Sequence, residues 1–145
     1  MKKVILSIAF ILLTGIIFGQ TLNKGAVLAL RIYNFELLPG ANIEQVENYL
    51  TIQNIDFNKS FDDIKLYMIK GLRGENEKKL AGILYMSSDD VRNKYFTNEP
   101  GGVTEAGQLL LEKFQETVAG LQKFVTPESA AQFATSTYYT DWEIQ

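Results

Sequence analysis

The stretch that most constrains this chain is Ile64–Ser87, IKLYMIKGLRGENEKKLAGILYMS. Two apolar runs with aromatic residues flank a charged turn punctuated by Gly71 and Gly74. Period-two patterning on either side of such a turn predicts strand, long loop, strand. Within the second strand Ile64, Leu66 and Met68 alternate with Lys65, Tyr67 and Ile69. Within the third, Gly82, Leu84 and Met86 alternate with Ala81, Ile83 and Tyr85. Gly82 inside a strand predicts a bulge or the close approach of another backbone.

What flanks this hairpin sets the class. Gly25–Leu38 reads as a first strand that ends at Pro39-Gly40. Its aliphatic alternates Leu28, Leu30 and Ile32 are expected to meet a helix layer. Arg31, Tyr33 and Phe35 are expected on the face away from it. Asn42 with Gln45 three residues on forms a capping box. It opens a helix from Ile43 to about Asn54, with Ile43, Val46 and Leu50 at helical spacing, and Asp56–Asp63, with Phe57 and Phe61, reads as a continuation of that helix or as a packed loop returning to the sheet.

After the hairpin, Ser88 caps a short helix carrying Val91 and Tyr95, and NEPGGV (Asn98–Val103) breaks it. Thr104 caps what should be the longest helix, Glu105 to about Val125. Its stripe is Ala106, Leu110, Phe114, Val118, Leu121 and Val125, with Leu109 and Thr117 beside it. Thr126-Pro127 starts a short helix through Phe133. The β-branched and aromatic run Thr135–Gln145 is the last strand.

The order β-α-β-β-(α)α-β, with right-handed crossovers, assembles an α+β fold of the ferredoxin-like type. It has a four-stranded antiparallel sheet with helices on one face. Such a sheet leaves its other face bare. Tyr33, Phe35, Tyr67, Ile69, Ile83 and Tyr85 are expected there, an apolar patch that a second sheet would bury.

The start of the chain lies outside this fold. Met1-Lys2-Lys3 is a short positive region, Val4–Phe18 is an apolar run of 15 residues, and Gly19-Gln20 leads into polar sequence. The run is shorter than the roughly 18–20 residues that span a bilayer comfortably. The pattern predicts a secretory signal peptide over residues 1–20, cleaved after Gly19 or Gln20. A single domain over 21–145 follows, exported to the periplasm or beyond, which touches the membrane only through the leader. That domain has 12 Lys and Arg against 17 Asp and Glu, a net charge of about −5. An acidic surface without a basic stripe argues against nucleic acid as a partner.

The chain has no His and no Cys. That removes the commonest general base and metal ligand, and the thiol nucleophile and disulfide framework. No nucleotide-binding or serine-hydrolase motif appears. Asp62-Asp63 and Asp89-Asp90 are adjacent acids that diverge in direction, and they read as a solvated strand start and a helix cap. No metal site or cofactor is expected. Arg31, Tyr33, Tyr67, Tyr85 and Trp142 are the candidate ligand-binding set, because an Arg among aromatic rings suits a partly apolar ligand with an anionic group. The same composition also suits a dimer seam. Gly71, Arg73 and Gly74 form a second candidate, an anion-binding loop.

With these elements placed, RIYNFEL, MIKGLRG, ILYMSSDDVRNKYF and YYTDWEIQ resemble the corresponding parts of the dimeric α+β barrel superfamily. That superfamily includes the antibiotic-biosynthesis monooxygenases and many small relatives. The resemblance implies a homodimer with a cavity for a small, partly apolar ligand. Its haem-binding members, which use His, are not the pattern for this chain. Two alternatives stay open: a cofactor-free monooxygenase-like enzyme with Arg31, Tyr33, Asn34 and Trp142 positioning its substrate, or a protein-interaction module.

Overall fold

A computed structural model describes residues 22–135 and 139–145. The expected signal peptide lies outside these residues, as do positions 136–138 of the expected last strand. The elements are β1 (Val27–Ile32), α1 (Ile43–Ser60), β2 (Ile64–Lys70), β3 (Leu80–Met86), α2 (Asp89–Tyr95), α3 (Glu105–Leu121), α4 (Pro127–Phe133) and β4 (Thr140–Glu143). The strands form one antiparallel sheet in the order β2-β3-β1-β4. This is an α+β fold compatible with a ferredoxin-like arrangement, with three helices rather than one between β3 and β4.

The local signals explain where the helices begin. Asn42 Oδ1 accepts from the Gln45 N–H at 3.0 Å while Gln45 Oε1 accepts from the Asn42 N–H at 2.9 Å, satisfying two of the donors a helix start leaves open. Ser88, Thr104 and Thr126 cap the other three helices. Of the two readings of Asp56–Asp63, the helix continuation holds as far as Ser60, and α1, at 18 residues, rather than α3, at 17, is the longest helix. The extension places Phe57 on the same buried stripe as Val46 and Leu50. α3 stops at Leu121, because the chain beyond it pairs with the segment after β1. The Leu38 N–H donates to Phe124 O, the Thr126 N–H donates to Glu36 O, and Leu37 bridges Val125. Leu109, expected beside the buried stripe, is 61 % exposed.

The inward face of β1 is the reverse of the one expected. Val27, Ala29, Arg31 and Tyr33 are buried against the helices, and Leu28, Leu30 and Ile32 are on the open side. Both sets are largely apolar, so alternation alone could not choose between them, and the Arg31 charge pointed outward. On the helix side of the sheet, the rings of Tyr33 and Tyr139 and the carbonyl of Thr135 accommodate that charge, which frees the aliphatic set for the other side. Tyr33 and Phe35 follow Arg31 inward. Gly82 answers to the same geometry: a Cβ there would come within 2.6 Å of Tyr33 Oη. The close approach is thus that of a side chain, not of another backbone.

Inside, aromatic rings form a continuous run across the core. The sequence is Phe35–Tyr33–Phe133–Phe114–Phe57–Phe61–Tyr95, with neighbouring centroids 4.8 to 6.2 Å apart. Offset and edge contacts of this kind add to the hydrophobic burial.

The free edge of β2 is closed from within the chain. Asn58 Oδ1 accepts from the Leu66 N–H at 2.7 Å, and Asn58 Nδ2 donates to Leu66 O at 2.8 Å. The amide thus stands where a neighbouring strand would pair. Asn58→Ala strands both backbone groups of buried Leu66. It is expected to cost about 1–3 kcal/mol in urea unfolding, with Asn58→Asp, which keeps the acceptor, falling between. A loss under about 0.3 kcal/mol for the alanine variant would mean that water replaces the amide without penalty.

Candidate functional site

The sheet divides the candidate ligand residues. Strand register places Tyr85 opposite Leu28, Trp142 opposite Leu28 on the other side, and Tyr67 opposite Ile83. Tyr67, Tyr85 and Trp142 therefore share the open face, whereas Arg31 and Tyr33 lie beneath it among the helices. The set does not converge on one site, and Trp142 is separated by the sheet from Arg31 and Tyr33.

The open face is apolar across all four strands. Leu28, Leu30 and Ile32 stand beside Ala81, Ile83 and Tyr85, with Tyr67 and Ile69 on one flank and Trp142 on the other. Ile32, Tyr67, Ile69 and Trp142 are 40 %, 40 %, 44 % and 59 % exposed. Among the described strand residues on this face, Lys65 is the one charged side chain. Its ammonium turns round the sheet edge to Asn58 O at 2.9 Å and Phe61 O at 2.5 Å. There it meets the carbonyl end of α1, where the helix dipole favours a cation. The face is left without a charge.

Beneath the sheet, Arg31 is 4 % exposed. Its guanidinium carbon lies 5.3 Å from the Tyr33 ring centroid and 5.9 Å from that of Tyr139, and Nη1 donates to Thr135 O at 2.9 Å. The two phenol oxygens are 3.2 Å apart. Burial pushes the Tyr33 hydroxyl well above its usual value, and the nearby Tyr139 adds to this against the opposing effect of Arg31. Burial likewise raises Tyr139, opposed by its hydrogen bond to Tyr33 and by Arg31. Both phenols stay protonated at neutral pH, so neither is a general base. The cluster holds the segment before β4 against β1.

The hairpin loop folds onto itself. The Gly71 N–H donates to Lys79 O at 2.9 Å and the Lys78 N–H to Gly71 O at 2.8 Å. A Cβ at Gly71 would overlap Asn76 O at 1.8 Å, so this glycine is required by packing. The Gly71 amide is committed within the loop. Arg73 is exposed on its first limb.

A cavity of about 200 Å³ lies between β4 and the loop after α2, lined by Arg92, Asn98, Gly102, Tyr139 and Asp141 among others. Arg92 spends its donors inside the chain: Nε donates to Asp141 Oδ2 at 2.9 Å and Nη1 to Asn98 Oδ1 at 3.1 Å. A wider groove of about 530 Å³ opens between residues 33–36, Ile43 and the second limb of the hairpin loop. Lys78 and Lys79 lie on its rim. In the sequence they read only as solvated loop charges, because the residues they face lie far earlier in the chain, at positions 33–36 and 43. Among the described residues no group of three or more acidic side chains is placed to hold a metal ion.

Set against protein families, curated proteins and solved structures, the chain finds no match.

Proposed function

We propose that the protein is exported and acts as a homodimer that binds a small, partly apolar ligand, the two sheets meeting through their open faces as in a dimeric α+β barrel. The observation that carries this reading is the uncharged apolar face. From strand spacing it covers roughly 400 Å², within the range of about 300–600 Å² of the largest patches on monomers, which are often functional. Its exposed Tyr and Trp are residue types enriched at protein interfaces. The sheet edges favour stacking over lateral growth. Asn58 closes β2, and β4 is a four-residue strand bearing Asp141 and Glu143, so a second copy is directed to the face.

Native mass spectrometry of the protein isolated from the cells that export it, without refolding, tests this in one step. The expected species is a dimer of chains lacking the leader and carrying an additional small mass. A bare monomer with the leader intact overturns the proposal.

A further inference from the structure

We infer that the groove between residues 33–36 and the second limb of the β2–β3 hairpin is the ligand site of each protomer, and that it takes a small amphipathic anion, an apolar body ending in a carboxylate or sulfonate. The inference rests on the ligand-binding reading above but places the site away from the dimer seam.

The volume, about 530 Å³, falls in the range of small-molecule sites. Its walls are mainly apolar: Tyr33, Phe35, Ile43 and Leu80 line it. Such walls suit a hydrocarbon or aromatic body. The polar rim then selects the head group. Lys79 is the one partly buried charge on that rim, whereas Glu36, Glu77 and Lys78 are exposed. The Lys79 ammonium donates to the neutral Asn76 Oδ1 at 3.2 Å, and no carboxylate lies within 4 Å of it among the described residues. A partly desolvated ammonium without a counter-charge attracts an anion.

Lys78 supplies a second, independent observation. It is the one non-glycine residue with positive φ among the described residues, at 65°. An L side chain adopts that conformation only at a cost, and glycine would adopt it freely. Hairpin loops use this region to close the turn, and here it seats Lys78 on the rim of the groove. Its backbone is held by the bond from its N–H to Gly71 O, which sets a second cation next to Lys79. The anion-binding role expected of Gly71, Arg73 and Gly74 thereby passes to the other limb of the same loop.

The test uses two probes of the same shape. One is the anionic 8-anilinonaphthalene-1-sulfonate; the other is the neutral N-phenyl-1-naphthylamine. Binding to the ¹⁵N-labelled mature protein is followed by amide shifts. The sulfonate is expected to move Asn34, Phe35 and residues 78–80, and to bind about fivefold tighter than the neutral probe. Lys78→Gly and Lys79→Met should each remove most of that preference while leaving the neutral probe unaffected. Lys79→Arg should retain it, and Lys78→Gly should melt no lower than the parent. Shifts confined to Leu30, Tyr67 and Ile83 overturn the groove assignment and leave the ligand-binding dimer standing. Equal affinity for the two probes, or no binding of either, overturns the inference. Loss of the dimer and of any retained mass, read separately, overturns the reading beneath it.

Discussion

Replacing Phe114 with alanine is expected to lower the unfolding free energy by about 3–5 kcal/mol. Phe114 is 2 % exposed and lies in the middle of the aromatic run. Its ring stacks on Phe57 at 5.3 Å and meets the Phe133 edge at 5.5 Å. The change therefore empties a site bounded by α1, α3 and α4 together, and three helices cannot all move in to fill it. Phe114→Leu retains much of the volume and should cost markedly less. Leu110→Ala, one turn earlier and fully buried, belongs to the same series at about 2–5 kcal/mol. Urea unfolding followed by circular dichroism measures all three. A loss below about 0.5 kcal/mol for Phe114→Ala would contradict the packing of α3 on α1 and α4.

The second large effect belongs to the open face. Ile83 is on the interior strand β3, between Leu30 of β1 and Tyr67 of β2. In a single chain Ile83→Asp leaves a carboxylate that water still reaches, since Ile83 is only half-buried. In the proposed dimer the same change places two carboxylates in an apolar seam without cations nearby, and burying an unpaired charge is costly. The dissociation constant should rise at least ~100-fold, equivalent to about 3 kcal/mol. Ile83→Val should leave association unchanged. Sedimentation over a concentration series reads the result. A dimer that survives Ile83→Asp uses a different surface.

The sequence was most legible where one signal had one meaning. Asn42, Ser88, Thr104 and Thr126 each marked a helix start because a side-chain acceptor before an apolar stripe has few other uses. The hairpin was legible because two alternating runs with a glycine-bearing turn between them are brought into antiparallel register by that turn. Legibility failed where two answers had equal local support. β1 is apolar on both faces, so its orientation depended on what Arg31 would meet, and those partners, Tyr139 and Thr135, lie a hundred residues away. The candidate ligand set was divided for the same reason. Arg31, Tyr33, Tyr67, Tyr85 and Trp142 were gathered by residue type and strand parity, and once the parity of β1 reversed, the sheet divided them. Lys78 and Lys79 both face residues 33–36, and Lys79 differs from Lys78 in being partly buried, which no local pattern records.

The pairing of β1 also bears on the order in which the fold is completed. β1 is the first strand of the described chain, and one of its neighbours, β4, is the last, with Val27 opposite Glu143. Contacts of such sequence separation are slow to form, because the intervening chain must first be brought together. A polypeptide threaded through a membrane from its amino end would deliver β1 early and β4 last. Until then one side of β1 is an unpaired edge, whereas the clamp between Asn58 and Leu66 spans eight residues and closes at once. The topology thus keeps the amino-terminal half incomplete until nearly the whole chain has emerged. In the proposed export, such a delay would help the chain to stay unfolded during its passage.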